Sequence, residues 1–409
     1  MRSLHRVSKV MKYLFMAAIV TGVPSVTFAQ HYTQKNLVSD IPQPDNPDGS
    51  KVLIDPNLKN PWGLTRSSSS PWWVGNNNSG SATLYDGSGG PINIFPDPAG
   101  SIFNNYVIVP PPGFAATGTQ STPTGVVFNG SPTDFILDKG TPGGKPALFI
   151  FATEDGTISG WNPAVNIPAG SHAPSINAVL EVDNSDKGSP NGAVYKGATT
   201  ADIGGKRFLY VTNFRSGKVE VYDTNFKVVP LGNSGDDDGS EAFEDRVIPE
   251  GFAPFNVQNI GGSLFVTYAK QDVLRHDPVG GNGLGFVDIF SPTGKLQGRL
   301  QAGPWMNAPW GVVWTPRDFG EFSNTILVGQ FRSGWIAAFN GFSHHFIGFV
   351  KNPDDSLLAI NSIWSLTFGN NGAAGPSTTL FFTAGINDET DGLFGTLTPV
   401  PAEQDGDEE

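Results

Sequence analysis

Residues 309–314 have the sequence PWGVVW, and close variants of this hexapeptide recur along the chain. The shared pattern is a proline, a variable residue, a small residue and then a pair of apolar residues. The other copies are PWGL from Pro61, PTGVVF from Pro123, PNGAVY from Pro190, PFNVQN from Pro254 and, without the proline, IWSLTF from Ile363. Because a pattern that returns every few tens of residues is typical of repeat architectures, we interpret the chain as six structural units.

Each copy is followed by a second apolar segment and a polar turn. Segment 208–223, FLYVTNFRSGKVEVYD, shows this most clearly, and its turn sequence Phe-Arg-Ser-Gly returns from Phe331. Apolar runs joined by Asn, Gly, Asp and Ser predict β-hairpins. A fourth apolar run follows in most units, for example NYVIVP from Asn105. The sequence therefore predicts an all-β, six-bladed β-propeller with blades that start near residues 61, 123, 190, 254, 309 and 363.

The two ends of the chain complement each other. The sixth unit ends at Thr398 after three strands, and the segment KNLVSDI from Lys35 is a strand that no unit uses. We expect this N-terminal strand to complete the sixth blade, since such a closure removes two exposed sheet edges. The propeller is then one domain over residues 30–400, followed by an acidic segment, 401–409, that we expect to be disordered.

The first 29 residues predict a secretory signal peptide. A basic start with Arg2, Arg6, Lys9 and Lys12 precedes an apolar run, and Thr27-Phe28-Ala29 supplies small residues for cleavage. The alternative is a membrane anchor, which the shortness of the run, with Gly22 and Pro24 in it, disfavours. We expect a periplasmic or secreted protein with no membrane span after cleavage.

Charge and cysteine content exclude several classes of function. Cleavage would remove four basic side chains and no acidic one, which changes the net charge from −13 to −17. Such a surface repels nucleic acid, so we expect no nucleic-acid partner. The chain has 0 cysteines, which excludes disulfides, a thiolate zinc site and a cysteine nucleophile.

Several segments carry a specific resemblance over about residues 34–400. They are NPWGL, SPWWVGNN, FATEDGTISGWNP, FAPFNVQNIGG, FVTYAKQD, NAPWGVVW and LFFTAGINDETDGLFGTL. With them the chain resembles NHL-type six-bladed propellers and, more closely, an uncharacterised family of secreted bacterial propeller proteins. The resemblance implies the fold and export. It does not indicate an activity, because the family has none assigned.

The position after the motif proline is the first candidate site. It holds Trp62, Thr124, Asn191, Phe255, Trp310 and Trp364. The aromatic rings would either offer a stacking surface to a flat ligand such as a sugar ring, or fill the central channel and pack between blades. Packing is favoured, because large aromatic side chains dominate cores.

A metal site is disfavoured. The topology also resembles six-bladed lactonases, which hold a divalent cation with Glu, Asn and Asp at the starts of their innermost strands. Only Asn191 fits that pattern here, and a hard cation needs several oxygen ligands, including carboxylates. We therefore expect no metal and no cofactor. Calcium is a weaker alternative at the DDDG sequence from Asp236, where the calcium-loop spacing places Ser234 first and Asp245 twelfth.

The ends of the second strands, with their hairpins, are the other candidate site. They hold the polar residues Asn76, Asn77, Asn78, Glu154, Asp155, Asn213, Arg215, Tyr268, Asp272, Gln330, Arg332, Asn387, Asp388 and Glu389. Glu154 and Asp155 are the acidic candidates for catalysis, and Arg215 and Arg332 are candidate anion contacts. The charges would either form a ligand surface or pair with one another in solvent. The insertion 271–284 in the fourth unit is either a functional lid or a tolerated loop.

Three functions follow from these residues. The leading hypothesis is a non-catalytic binding module that recognises a glycan, peptide or partner protein on its loop-rich face. The alternative is a metal-assisted hydrolase or lyase of the lactonase type that uses Glu154 and Asp155, although adjacent hairpin residues point apart. A structural role in an envelope assembly is the third.

Overall fold

The structure is a computed structural model that describes residues 31–94, 104–138, 143–167, 174–232 and 241–400. The signal peptide, the acidic tail and the DDDG sequence predicted above lie outside the described residues. Within them, the chain forms six blade-like sheets around a common centre, so the predicted six-bladed β-propeller is confirmed. None of the helices in these ranges is long and apolar enough to span a bilayer.

The strands follow in chain order. The first segment contains β1 (Tyr32–Ser39) and β2 (Leu53–Ile54). Blade 1 contains β3 (Pro61–Thr65), β4 (Trp72–Asn76), β5 (Ser81–Tyr85) and β6 (Tyr106–Ile108). Blade 2 contains β7 (Pro123–Phe128), a small side hairpin of β8 (Ile136–Leu137) and β9 (Lys145–Pro146), and then β10 (Phe149–Thr153), β11 (Thr157–Trp161) and β12 (Val179–Asp183). Blade 3 contains β13 (Tyr195–Ile203), β14 (Lys206–Asn213) and β15 (Lys218–Tyr222).

The second half of the chain repeats this order. Blade 4 contains β16 (Phe252–Ile260), β17 (Ser263–Gln271), the short β18 (Pro278–Val279), β19 (Gly285–Phe290) and β20 (Leu296–Arg299). Blade 5 contains β21 (Pro309–Trp314), β22 (Thr325–Gln330), β23 (Ile336–Asn340) and β24 (Phe346–Phe349). Blade 6 contains β25 (Ile363–Phe368), β26 (Leu380–Ala384) and β27 (Leu393–Pro399). Helical turns occur at Asp186–Gly188, Gly320–Phe322 and α1 (Ile386–Glu389).

The N-terminal strand closes the ring as expected. Strand β1 pairs antiparallel with β27, from Tyr32 opposite Pro399 to Ser39 opposite Leu393. Tyr32 is fully buried, and its hydroxyl donates a hydrogen bond of 2.8 Å to the carbonyl of Phe319 in blade 5. The closing strand therefore belongs to the core as well as to the sheet.

The small residue of the motif lets the innermost strands approach each other. A Cβ on Gly63 would lie 2.4 Å from the carbonyl oxygen of Thr124 in the next blade, and one on Gly311 would lie 2.4 Å from that of Trp364. In blades 4 and 6, where the motif has a polar residue instead, its side chain bonds to the neighbouring blade. Asn256 donates to the carbonyl of Trp310, at 2.8 Å, and Ser365 accepts from the backbone N–H of Leu64, at 3.1 Å.

Strand register corrects the third copy of the motif. The equivalent first residues of the inner strands pair with the ends of the second strands, as Pro61 opposite Asn76, Pro123 opposite Thr153, Tyr195 opposite Asn213, Pro254 opposite Tyr268, Pro309 opposite Gln330 and Ile363 opposite Ala384. The third copy is thus YKGATT from Tyr195, and the segment from Pro190 was the wrong choice. Pro190 and Asn191 lie in the turn before the strand. The proline of this turn resembles the motif proline in sequence only. Lys196, and not Asn191, is therefore the residue after the first position of the inner strand.

Candidate functional site

The centre of the propeller is filled by aromatic rings. Trp62 and Trp364 stack with ring centroids 3.5 Å apart, and Phe331 stacks on the other side of Trp364 at 4.0 Å. Trp310 meets Trp62 edge-on at 6.1 Å, and Phe255 of blade 4 meets Trp62 of blade 1 across the ring. All five side chains are buried. The faces of Trp62, Trp310 and Trp364 are covered by protein. The rings therefore fill the central channel and do not offer a stacking surface to a ligand.

A buried lysine lies in the same central layer. The Lys196 side chain is 0% exposed, and its ammonium contacts the Glu154 carboxylate and lies 3.4 Å from Oδ1 of Asp277. The Nζ atom also lies 5.1 Å from the ring centroid of Trp62 and 5.8 Å from that of Phe214. Burying a charge costs hydration free energy, and the carboxylates and aromatic rings around Lys196 offset that cost. Sequence reasoning missed Lys196, although the glycine that follows it at the motif's small position was a usable signal.

The two acidic catalytic candidates are in different environments. The Glu154 side chain is 11% exposed and accepts a hydrogen bond of 2.7 Å from Nδ2 of Asn77. Asp155 turns away, and its Oδ2 accepts from the backbone N–H and the hydroxyl of Thr122 at 2.8 and 2.9 Å. Burial raises the pKa of the Asp155 carboxyl from its ordinary value. The structure thus brings Glu154 and Asn77 together and gives the two carboxylates different hydrogen-bond partners, although the Glu154 charge still helps to raise the pKa of Asp155.

The insertion adds His276 and Asp277 to this centre. One potential ligand atom from each of Glu154, His276 and Asp277 lies within 4.8 Å of the others. The hydrogen bond with His276 holds the pKa of the Asp277 carboxyl well below its usual range, and the charge of Lys196 acts in the same direction. Both carboxylates already contact the Lys196 ammonium. The Lys196 ammonium therefore already supplies positive charge to both carboxylates, which disfavours a divalent ion beside them.

A strained turn in blade 6 faces the same centre. Asn387, Asp388 and Glu389 have φ values of 54°, 53° and 67°, which is left-handed backbone that non-glycine residues rarely adopt. Asp388 is exposed, whereas Glu389 is partly buried and its Oε2 accepts a 3.4 Å hydrogen bond from Asn60. Burial raises the pKa of the Glu389 carboxyl, and the nearby Glu154 carboxylate adds to the effect. Of the two acidic residues in this turn, both of which are candidates from the sequence, Glu389 is therefore the one that lies near the centre, whereas Asp388 is exposed.

Three of the predicted residues are buried inside the blades. Asn76 is buried and donates to the hydroxyl of Thr83 at 3.0 Å. Gln330 is also buried, and its Oε1 accepts from the backbone N–H of Asn307 at 2.8 Å. Tyr268 is buried as well, which raises the pKa of its phenol well above the ordinary value. None of the three presents a free polar group on the loop-rich face.

Two further predicted residues order the insertion. Asp272 accepts hydrogen bonds from the backbone N–H groups of His276 and Asp277, at 2.8 and 3.3 Å. Arg332 donates to the carbonyl of Pro278 at 3.1 Å, and its guanidinium lies 4.5 Å from the ring centroid of Phe331. The insertion therefore contacts blade 5 through Arg332, and it contacts blade 3 through Asp277 and Lys196.

An open groove of about 450 Å³ separates the insertion from blade 3. Three residues predicted from the sequence, Asn191, Asn213 and Arg215, meet in it. The full lining is Pro190, Asn191, Asn213, Arg215, Ser216, Val273, Leu274 and Arg275. Asn191 therefore reaches a candidate site although its assigned strand position was wrong. The insertion side of the groove was not predicted, because a pairing between segments about 60 residues apart leaves no local pattern.

Comparison with known sequences gives relatives without an assigned role. No family model matches the chain. Uncharacterized protein R640 of Acanthamoeba polyphaga mimivirus is 32% identical over 228 residues, which is 56% of this chain and 39% of that protein. Uncharacterized proteins R648 and L690 of the same virus are each 27% identical over 84% of this chain, and the matches cover 76% and 81% of their lengths. The resemblance to secreted bacterial and NHL-type propellers stays a prediction.

Solved structures resemble the chain in fold. A protein of unknown function from Bacteroides thetaiotaomicron has a TM-score of 0.48 and 8% identity, over 90% of this chain and 76% of that one. Hydrazine synthase of Kuenenia stuttgartiensis has a TM-score of 0.45 and 13% identity, and the match covers 80% of this chain and 74% of that one. The PQQ-bound aldose sugar dehydrogenase of Streptomyces coelicolor has a TM-score of 0.42 and 12% identity, and the match covers 91% of this chain and 99% of that one. Likeness at this level carries no information on ligand or reaction.

Proposed function

We propose that the protein is an exported, non-catalytic binding propeller that holds its ligand on the loop-rich face, in the groove between blade 3 and the insertion. The observation that carries the proposal is the convergence of Asn191, Asn213 and Arg215 with the exposed side chains of Val273 and Leu274 around one open groove. Loops held on a rigid scaffold are the usual place for recognition. The ligand is a glycan, a peptide or a partner protein.

The polar groups at the centre support binding over catalysis. General acid–base catalysis needs a positioned group that can exchange a proton with the substrate. Glu154 is instead paired with Lys196 and Asn77, and Asp155 with Thr122. A metal-assisted hydrolase would need the carboxylates that Lys196 occupies. The groove offers an open polar surface beside this charge-paired centre.

Thermal unfolding of residues 30–409 tests the proposal. The protein is heated with neutral oligosaccharides, acidic oligosaccharides, acidic peptides, lactones and divalent cations, each with and without chelator. We expect one ligand class to raise the melting temperature saturably, because a ligand that binds only the folded state stabilises it. The ligand-induced rise in melting temperature should be unchanged by chelator and by the substitution Glu154→Gln. It should be smaller in the variant Asn191→Ala. Lys145→Ala, exposed on the side hairpin of blade 2, is the control.

Chemical analysis of the bound ligand separates binding from turnover. The proposal requires the ligand to be recovered unchanged after prolonged incubation. Conversion of the ligand that Glu154→Gln abolishes would overturn the proposal and establish the hydrolase or lyase alternative.

A further inference from the structure

The groove is locally basic on a chain of net charge −13. Arg215 donates from Nη1 to the carbonyl of Gly192 at 2.7 Å, while its Nε is buried with no hydrogen-bond partner among the described residues. Arg275 is exposed on the other side of the groove, and it makes no ion pair within the part of the chain that the structure describes. Two guanidinium groups without a carboxylate partner therefore face one cavity. A guanidinium that lines an open groove and has no carboxylate partner among the described residues suits an anionic acceptor from outside the chain, which would reach the outer nitrogen atoms of Arg215 rather than its buried Nε.

The rim of the groove beside Arg275 is apolar. Val273 is 98% exposed and Leu274 is 72% exposed at the tip of the insertion. Large aliphatic side chains held in water on an ordered loop mark a surface that a partner covers. Among the described residues that line the groove there is no aromatic side chain, the type that usually stacks on sugars. Aliphatic packing next to two arginines suits a peptide better than a glycan.

Resting on the proposed function, we infer that the ligand is a peptide segment in which an acidic residue adjoins a large aliphatic residue. Its carboxylate pairs with Arg215 and Arg275, and its aliphatic side chain packs on Val273 and Leu274. Asn191 is exposed beside them and offers an amide to the peptide backbone. The fork of each guanidinium matches the two carboxylate oxygens, which makes the acidic residue the specific contact.

An array of acetylated hexapeptides, with every pair of residues at the two central positions and glycine elsewhere, is the first test. We expect residues 30–409 to select pairs that combine Asp or Glu with Leu, Ile or Val. The best peptide is then titrated by fluorescence anisotropy beside its isosteric copy with Gln for Glu or Asn for Asp. Binding should weaken about tenfold or more for the uncharged copy, because a charge-assisted hydrogen bond is lost.

Matched variants locate the site. Arg215→Gln and Arg275→Gln should each weaken peptide binding about tenfold, whereas Arg317→Gln, an exposed arginine of blade 5, should leave it unchanged. The double variant Val273→Ser, Leu274→Ser should weaken binding with an unchanged melting temperature, since both side chains are in water already. Arg275 and these two residues are exposed, so the test does not depend on the fold tolerating a change at Arg215.

The remaining outcomes distinguish this inference from the proposed function. No enrichment of acidic–aliphatic pairs, or equal binding of the charged and uncharged peptides, overturns the inference. Binding of tri-galacturonic acid that needs the two arginines but not Val273 and Leu274 assigns the groove to acidic sugars, which overturns the inference and leaves the binding function standing. Turnover of a ligand, in contrast, overturns the proposed function itself.

Discussion

At the scale of single residues, the central feature is the Lys196–Glu154 pair. The lysine is fully buried and the glutamate nearly so, with the ring of Trp62 beside the ammonium. Removing one member of such a pair is costly because the other charge stays in a poorly solvated place. The pair therefore places an ammonium group at the centre of the propeller.

Lys196→Met should therefore reduce the free energy of unfolding by about 3–5 kcal/mol. The double variant Lys196→Met, Glu154→Gln should recover a large part of that loss, because no unpaired buried charge remains. Chemical denaturation of the four proteins of this double-mutant cycle measures the coupling. A loss below about 1 kcal/mol in the single variant, as for a solvent-screened pair, would contradict this account.

A second residue-scale prediction concerns pH. Asp288 is buried beside Arg299, whose Nε lies 2.6 Å from its Oδ1. Burial raises the pKa of Asp288 from 3.8 to about 6, although the ion pair acts in the opposite direction. Because the folded-state pKa is the higher one, the stabilisation from Asp288 is complete below pH 3.8 and is lost as pH rises through about 6.

Melting temperatures measured from pH 4 to pH 7 test the sign. The wild type should lose stability relative to Asp288→Asn as the pH rises, while Asp318→Asn, at an exposed position, should track the wild type. A wild type that gains stability over Asp288→Asn across this range would show that the ion pair outweighs burial.

At the scale of elements, strand β1 decides whether the ring is closed. It covers the edge of β27 and adds Tyr32, Leu37 and Val38 to the core. Without it, β27 would present unpaired N–H and C=O groups to solvent, and such edges recruit strands from other molecules. Closure therefore protects the last blade from aggregation as well as stabilising it.

Deleting residues 31–39 from the mature protein should cause association and a large loss of stability. Light scattering and size-exclusion chromatography measure the first, and thermal unfolding measures the second. Deletion of residues 401–409 is the control and should change neither property. The milder variant Tyr32→Phe should cost about 1–3 kcal/mol, since the hydroxyl bonds to the backbone of Phe319 and Phe322 are lost. A monomeric deletion variant of normal stability would contradict the closure argument.

At the scale of the whole molecule, the central aromatic layer joins blades that are far apart in sequence. Trp62 of blade 1 touches Phe255 of blade 4, and the indole N–H of Trp310 in blade 5 donates to the carbonyl of Lys196 in blade 3, at 3.1 Å. The chain has 0 cysteines, so no disulfide joins the blades. These contacts across the centre couple the blades, so we expect them to unfold as one cooperative unit.

Denaturation followed by tryptophan fluorescence and by far-ultraviolet circular dichroism should therefore give coincident transitions. The fluorescence signal includes the central tryptophans, whereas the dichroism reports strands of every blade. Trp364→Ala should lower the stability by about 3–5 kcal/mol and keep the two transitions together. Separate midpoints in the wild type would show that blades unfold independently and would refute the coupling.

The sequence by itself determined the propeller, its six units and its closure by the N-terminal strand. These features are written in local patterns, namely strand periodicity, turn residues and a recurring glycine that close strand approach demands at Gly63 and Gly311. The same patterns indicated that Trp62, Trp310 and Trp364 pack in the centre.

The tertiary structure alone decided the register of blade 3, the burial of Lys196 and the groove between Arg215 and Arg275. A proline in a turn and a proline in a strand look alike in sequence, so only the pairing of Tyr195 with Asn213 placed Lys196 in the centre. Charge pairs and grooves form between segments distant in the chain. Which residues meet in such a pair or groove depends on tertiary packing and on the cost of burying unpaired charge. Local sequence patterns contain no information about either.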